Sequence, residues 1–327
     1  MNKFKLYFLV ISVGLLFFSC NKEDAVEPVP LRDFATQYES EIITIENYLK
    51  TYYVELIVDH PGYSDDQNII ISKIPKGNTS LVSLWDDPML DFKPVELHGI
   101  TYKVYYLKLR QGDTINGHSP CKVDAVLDAY VGSYLTDNSN TDASGVTNID
   151  IKETEFDRDE YPSNFYALNN LITGWQEILP LFNTGTYDSS ANPNNPAVYL
   201  NFGAGVMFIP SGLGYYNTGK ATIPAYSSLV FSFKLYDLKR ADNDEDGILS
   251  YLEVANIGDD ILKYDTDGDG TPNFLDIDDD GDGQLTKNEI KNSAGVTYSF
   301  DAIPDCSGNT TLPTRIKRHL DKNCFKD

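Results

Sequence analysis

The stretch LITGWQEILP at residues 171–180 decides how the rest of the chain is read. Leu171 and Ile172 stand four and three positions before Trp175, so one helical turn brings all three onto a shared face. Gly174 lets the backbone come close to another segment. Pro180 stops the helix. Taken alone, Trp175 reads as a core residue. Two stretches downstream change that reading: GVMFIPSGLGYY at 205–216 and ATIPAYSSLVFSFKLYDL at 221–238.

Around this short helix the chain is patterned for strands. TYKVYYLKLRQG (101–112) is followed by CKVDAVLDAYVGSYL (121–135), in which Val123, Ala125, Leu127 and Ala129 alternate with Lys122, Asp124, Val126 and Asp128. That is the pattern of a half-buried antiparallel strand. A polar loop, NSNTDASG at 138–145, leads into IDIKETEFDRD (149–159). A second polar insert, TYDSSANPNNP at 186–196, precedes AVYLNFGAGVMFI (197–209). Strands on both sides of one central helix predict an α+β fold, a curved antiparallel sheet wrapped on that helix. Upstream, Leu31, Phe34, Tyr38, Ile42, Ile45, Leu49 and Tyr52 recur every three or four residues and predict a long amphipathic helix. Its stripe packs on its own domain or on a partner chain. Residues 54–98 read as α+β with no assignable chemistry.

Five stretches in order, VLDAYVG, EFD, LITGWQEILPLF, FIPSGLGY and IPAYSSLVFSFKL, resemble an FKBP-type peptidyl-prolyl isomerase domain over about residues 100–239. The resemblance implies a prolyl pocket with Trp175 as its floor and Tyr130, Phe165, Ile223 and Phe231 as walls. It further implies that the Ile172 amide and the Tyr215 hydroxyl bond to substrate carbonyls, with Leu171 at the rim. Phe156 and Asp157 match the family's Phe-Asp pair, in which the aspartate orients the aromatic side of the pocket. Tyr216 stands where a glycine commonly follows the pocket tyrosine, and the segments 138–155 and 186–196 are insertions. The chemistry needs neither acid nor base. Rotation about an X-Pro amide is opposed by a barrier of roughly 18–20 kcal/mol from its partial double-bond character. Twisting the amide makes its carbonyl less polar, so a dry aromatic pocket favours the transition state over the ground state.

The tail carries a second pattern. DNDEDGILSYLE (242–253) places Asp242, Asp244, Asp246, Ile248, Ser250 and Glu253 at the ligand positions of a twelve-residue calcium loop, with Gly247 at the sharp turn. DTDGDGTPNFLD (265–276) does the same with Asp265, Asp267, Asp269, Thr271, Asn273 and Asp276. DDDGDGQLTKNE (278–289) follows with Asp278, Asp280, Asp282, Gln284, Thr286 and Glu289. Only Ile277 separates the last two loops, which leaves no room for paired EF-hand helices. The block is therefore similar to thrombospondin type 3 repeats, with structural Ca2+ threaded along an irregular chain.

The net charge of −23 is concentrated here: residues 242–289 hold 16 Asp and Glu against Lys263 and Lys287. Nucleic acid is excluded as an expected partner, because phosphate binding needs a basic patch.

At the other end, Lys3 and Lys5 precede an apolar run from Leu6 to Phe18 that is too short to span a bilayer comfortably. LFFSC, ending at Cys20, resembles a lipobox, implying a signal peptide over 1–19 and a lipidated anchor and linker over 20–30. The expected place is a bacterial envelope membrane, the outer membrane, facing the periplasm or the surface. In that oxidising compartment Cys306 and Cys324 are the preferred disulfide pair, leaving Cys121 as a free buried thiol. The expected divisions are 31–99 (α+β), 100–239 (isomerase-like), 240–295 (calcium loops) and 296–327. Two functions compete. One is a lipid-anchored isomerase acting on proline-containing clients during the folding of exported proteins. The other is a catalytically weak chaperone or surface binding protein on the same scaffold with a calcium stalk.

Overall fold

The computed structural model describes residues 30–189, 197–254 and 260–324. The apolar leader, Cys20, most of the 20–30 linker and part of the 186–196 insert lie outside the described residues. The elements that carry the architecture are α1 (Phe34–Thr51), β1 (Tyr52–Ile57), β2 (Ile69–Lys73), β3 (Leu90–Leu97), β4 (Ile100–Arg110), β5 (Ala125–Asp137), β6 (Ile151–Asp159), α2 (Thr173–Ile178), β7 (Gly203–Ile209) and β8 (Leu229–Lys239). Among the described residues strand β1 pairs with β2 alone. The others form an antiparallel seven-stranded sheet in the order β3-β4-β7-β8-β5-β6, with Tyr166–Ala167 pairing beside β5. The fold is thus mostly sheet, an α+β arrangement with few helices. Strand β3 lies before the boundary expected at residue 100 yet belongs to the same sheet.

Period-two alternation sorts the sheet's side chains onto two cores. Tyr106, Val126, Met207, Ile209, Leu229, Phe231 and Phe233 meet Trp175, Ile178 and Phe182 on one face. Tyr105, Leu107, Val206, Phe208 and Val230 meet Ile45, Tyr48 and Leu49 of α1 on the other. The sheet is therefore covered on both faces, with α2 on one and α1 on the other, and every residue of β7 is buried. Residues 122–129 depart from the half-buried reading: Asp124 and Asp128 are buried with their neighbours. Arg240 pairs with Asp124.

Helix α1 begins at Phe34, where Asp33 accepts from the Thr36 N–H at 3.0 Å as N-cap. Its stripe packs on this chain's own sheet. The buried face includes two polar residues, Gln37 and Glu41. Glu41 accepts from the Ser211 N–H at 2.9 Å and from the Ser211 hydroxyl, and Gln37 Nε2 donates to it at 2.6 Å. The N-terminal helix is thereby joined to the turn that leads into Tyr215. Glu41→Ala leaves the Ser211 N–H without this acceptor and is expected to cost about 1–3 kcal/mol. Urea denaturation measures this, and an unchanged midpoint would contradict it.

The acidic segment does not stand away from the sheet as a stalk. Ile261 and Phe274 pack on Val123 and Cys121, while Ile248 packs with Ile290 and Ile303 further along. Cys121 is a free thiol, half-buried where a buried one was expected. The expected Cys306–Cys324 bond is not formed: both are free thiols. They nevertheless meet through a hydrogen bond, which adds to burial in pushing Cys324 up to about 12.

Candidate functional site

Helix α2 is short, and the sheet holds it close. A Cβ on Gly174 would fall 2.5 Å from Ile209 Cδ1, so only glycine permits this approach. The contact sets Trp175 against the sheet, 5% exposed. Its ring lies 5.3 Å from Phe231 and 5.8 Å from Tyr130, centroid to centroid and edge to face in both cases. Tyr130 and Phe231 are 6.0 Å apart, and Phe156 meets Phe231 edge-on at 5.6 Å. Gly132 makes room for that pair, since a Cβ there would sit 2.7 Å from Phe231 Cε1 and 2.8 Å from Phe156 Cζ. Ile223 is buried in the same cluster, with Leu171, Ile172 and Tyr215 packed against it.

Polar groups flank this aromatic set. The Tyr130 hydroxyl donates to Asp157 Oδ2 at 2.9 Å. Burial, then that hydrogen bond, push the Tyr130 hydroxyl well above the ordinary phenol range. Burial and the Asp157 charge also raise Tyr215. Ile172 is the residue ahead of α2, in extended conformation. Its N–H meets no acceptor among the described residues, as befits the start of a helix. The set can hold a ring between aromatic edges and offer donors from Ile172 and Tyr215 to carbonyls beside it.

The structure corrects one member. Phe165 is not in this group: its ring lies under the Lys239 ammonium, 4.0 Å from Nζ. Phe233, which the motif comparison passed over, backs Trp175 at 6.1 Å. The alternation Leu229, Phe231, Phe233, Leu235 would have found it. Tyr216 has φ 43°, where glycine is unstrained. Its ring turns to Phe34, stacked at 4.2 Å, and to Tyr226 at 5.0 Å.

The acidic loops repeat a common set of hydrogen bonds. The sixth-position glycine N–H donates to the first aspartate in each: Gly247 to Asp242 at 3.2 Å, Gly270 to Asp265 at 2.9 Å and Gly283 to Asp278 at 3.0 Å. Ile248, Thr271 and Gln284 donate their N–H groups to Asp246, Asp269 and Asp282. Each of those glycines has positive φ. The ninth-position side chains, read from sequence as cation ligands, bond to their own loops. Ser250 Oγ accepts from the Asn243 N–H at 3.1 Å, Asn273 Oδ1 from Thr266 at 2.8 Å and Thr286 Oγ1 from Asp279 at 3.2 Å. Asp276 accepts from the Asp278 N–H, linking the second loop to the third.

With one oxygen of each aspartate shaping the loop, the other is left over. Asp242 Oδ1, Asp244 Oδ2, Asp246 Oδ2 and both Glu253 oxygens are buried without a hydrogen-bond partner; so are Asp278 Oδ1, Asp280 Oδ2, Asp282 Oδ2 and both Glu289 oxygens. Carboxylate oxygens of Asp242, Asp244 and Asp246 converge within 4.8 Å, and so do those of Asp265, Asp267 and Asp269 and of Asp278, Asp280 and Asp282. Burial and then the Asp244 and Asp246 charges push Glu253 up to about 10; burial and then Asp280 and Asp282 push Glu289 up to about 8. Buried, unpaired, mutually repelling hard oxygens are the donor set a divalent cation satisfies.

Cavities also lie beside the sheet, the first of them lined in part by Tyr130 and Phe233 of the Trp175 group. One of about 590 Å³ lies between Ile69–Ile71 and the face of the sheet bearing Val206 and Val230. One of about 1080 Å³ lies between Lys122 and Arg240 on one side and Glu253, Arg315 and His319 on the other. No described helix is long and apolar enough to cross a membrane.

Comparison with known proteins adds the following. Residues 243–313 match a family model described as BamM C-terminal. That stretch runs through the acidic loops and the segment packed on them, and it is less than half the chain. Over 90 residues the chain is 30% identical to the baseplate wedge protein gp10 of Enterobacteria phage T4, covering 26% of this chain and 14% of that protein. Among solved structures, a peptidyl-prolyl cis-trans isomerase of Pseudomonas syringae pv. tomato aligns at 20% identity and TM-score 0.31, covering 47% of this chain and 84% of that one. FkpA of Escherichia coli aligns at 24% identity and TM-score 0.29, covering 42% and 48%.

Proposed function

We propose that the protein is a peptidyl-prolyl cis-trans isomerase of the FKBP type, with Trp175, Tyr130, Phe156, Phe231 and Ile223 forming the prolyl pocket. The observation that carries this reading is the edge-on meeting of Trp175, Tyr130 and Phe231 beside an Ile172 N–H with no acceptor among the described residues. A prolyl ring fits against aromatic edges, and the twisted amide loses less in such a dry site than the planar one. The Ile172 N–H and the Tyr215 hydroxyl would hold the flanking carbonyls. Asp157, by accepting from Tyr130, would fix that wall's orientation. Each 1.4 kcal/mol or so removed from the barrier gives about a tenfold rate gain. The clients would be proline-containing segments of exported proteins. Cys20, through a lipid, would hold the protein at an envelope membrane, with its body in water.

We further propose that the acidic loops bind structural Ca2+. The support is the set of buried carboxylate oxygens left without partners. In that role Asp242, Asp244, Asp246 and Glu253, and Asp278, Asp280, Asp282 and Glu289, would be ligands, with the more exposed Asp265, Asp267 and Asp269 between them. The carbonyls of Ile248, Thr271 and Gln284 would complete the loops.

A protease-coupled isomerisation assay on a proline peptide tests the enzyme reading. Catalysed rotation is expected for the wild type. Tyr215→Phe is expected to reduce kcat/KM by about tenfold, the effect of one hydrogen bond of about 1.4 kcal/mol, and Trp175→Ala to abolish the rate. A wild-type rate equal to the uncatalysed one would sink the enzyme reading. Retained binding of the same peptide would then favour a chaperone.

A further inference from the structure

We propose that Asp279, in the third acidic loop, is a ligand of the cation held by the first loop, so that two loops share one ion. This rests on the reading of the loops as calcium sites and goes beyond it, because Asp279 occupies the second position of its own loop, which the twelve-residue pattern leaves without a ligand role. Asp279 is 1% exposed, and neither of its carboxylate oxygens has a hydrogen-bond partner. Its oxygen lies within 4.8 Å of oxygens from Asp246 and Glu253, which are likewise buried and unpartnered. A carboxylate taken wholly out of water, with nothing to accept from and two others beside it, calls for a counter-charge.

The other two loops show what this position does when it faces no neighbour. Asn243 donates its side-chain amide to Ser250 Oγ, and Thr266 Oγ1 accepts from Asn273 Nδ2. Both turn back into their own loops. Asp279 keeps the matching backbone bond to Thr286 but sends its carboxylate across to the first loop. The first loop has a vacancy for it in chemical terms. Ser250 Oγ, which the pattern offers as the ninth-position ligand, already accepts from both nitrogens of Asn243. Calcium takes about six to eight oxygens. Asp279 supplies the one that Ser250 does not. Because Asp278 and Asp280 flank it in the chain, an ion in the third loop fixes the backbone that carries a ligand of the first. Binding at the two loops is therefore positively coupled.

Calcium titration calorimetry on the whole, chelator-stripped protein tests this, with hydrogen exchange locating the response. Asp279→Asn keeps the shape and removes the charge. It is expected to weaken one class of calcium sites by about tenfold, as loss of a charged ligand does, and to remove protection at residues 242–253 while 278–289 keep theirs. Lys287→Ala, at an exposed third-loop position with no ligand role, is expected to leave protection at 242–253 unchanged. A titration of Asp279→Asn that overlays the wild type overturns the shared ligand and leaves the calcium reading standing. Loss of protection spread evenly over all three loops marks a general structural role and also overturns it. A wild type that takes up no calcium removes both.

Discussion

Chelation of divalent cations is expected to open residues 242–289 to proteolysis and hydrogen exchange while the seven-stranded sheet stays protected. The reason is electrostatic. Buried carboxylates with unpartnered oxygens cost several kcal/mol each unless a counter-charge is present, and here they are crowded: Glu253 is raised by burial and by Asp244, Asp246 and Asp279. The apolar contacts holding this segment are few, Ile261 and Phe274 on Val123 and Ile248 with Ile290 and Ile303. A ligand at 100 times its Kd adds about 2.7 kcal/mol per site, so several ions would outweigh those contacts together. The sheet has its own two cores and does not depend on the loops. Identical cleavage patterns with and without chelator would show that no ion holds the segment.

The second large effect concerns Asp128, expected to make the protein less stable as the pH rises. Asp128 is buried on β5, two residues before Tyr130, with Oδ1 lacking a partner. Burial, then the Asp159 charge, push its carboxyl up to about 7. In the unfolded chain the same group titrates near 3.9. A group with a raised folded pKa favours the fold while protonated. That contribution is complete below about pH 4 and is lost as the pH climbs through about 7. The full span corresponds to on the order of 4 kcal/mol. Asp128→Asn keeps the size without the charge, so its Tm is expected to exceed the wild type's at pH 8 and to match it near pH 4. The difference between the two proteins cancels the loop carboxylates. A difference that does not change with pH would remove Asp128 as the source.

Much of this was readable in the chain, and the exceptions have physical causes. Trp175, Tyr130, Phe231 and Ile223 were found because each sits in a local motif, and local motifs hold their geometry from one context to another. Phe165 was misplaced because it was carried over from the resemblance while standing outside the five matching stretches, and its ring goes to Lys239. The burial of Asp124 and Asp128 was invisible because alternation assigned them to a solvent face, whereas Asp128 shares a face with Val126 and Tyr130, which pack on the Trp175 core, and Asp124 pairs with Arg240, 116 positions further on. The ninth loop positions each accept a hydrogen bond from their own loop's backbone, a contact that the ligand pattern does not report. Asp279 escaped notice because its neighbours belong to another loop, and spacing within a loop carries no record of that.

Tyr216 carries a consequence for the order in which the molecule assembles. Holding a tyrosine at φ 43° costs of order 1–3 kcal/mol, and stacking on Phe34 offsets that cost only when the N-terminal helix is already docked. Glu41 and Ser211 join the same two segments across 170 positions. Contacts of such long range form late, because loop-closure entropy must be overcome before they reward it. The turn bearing Tyr215 thus takes its final shape only with α1 docked against it.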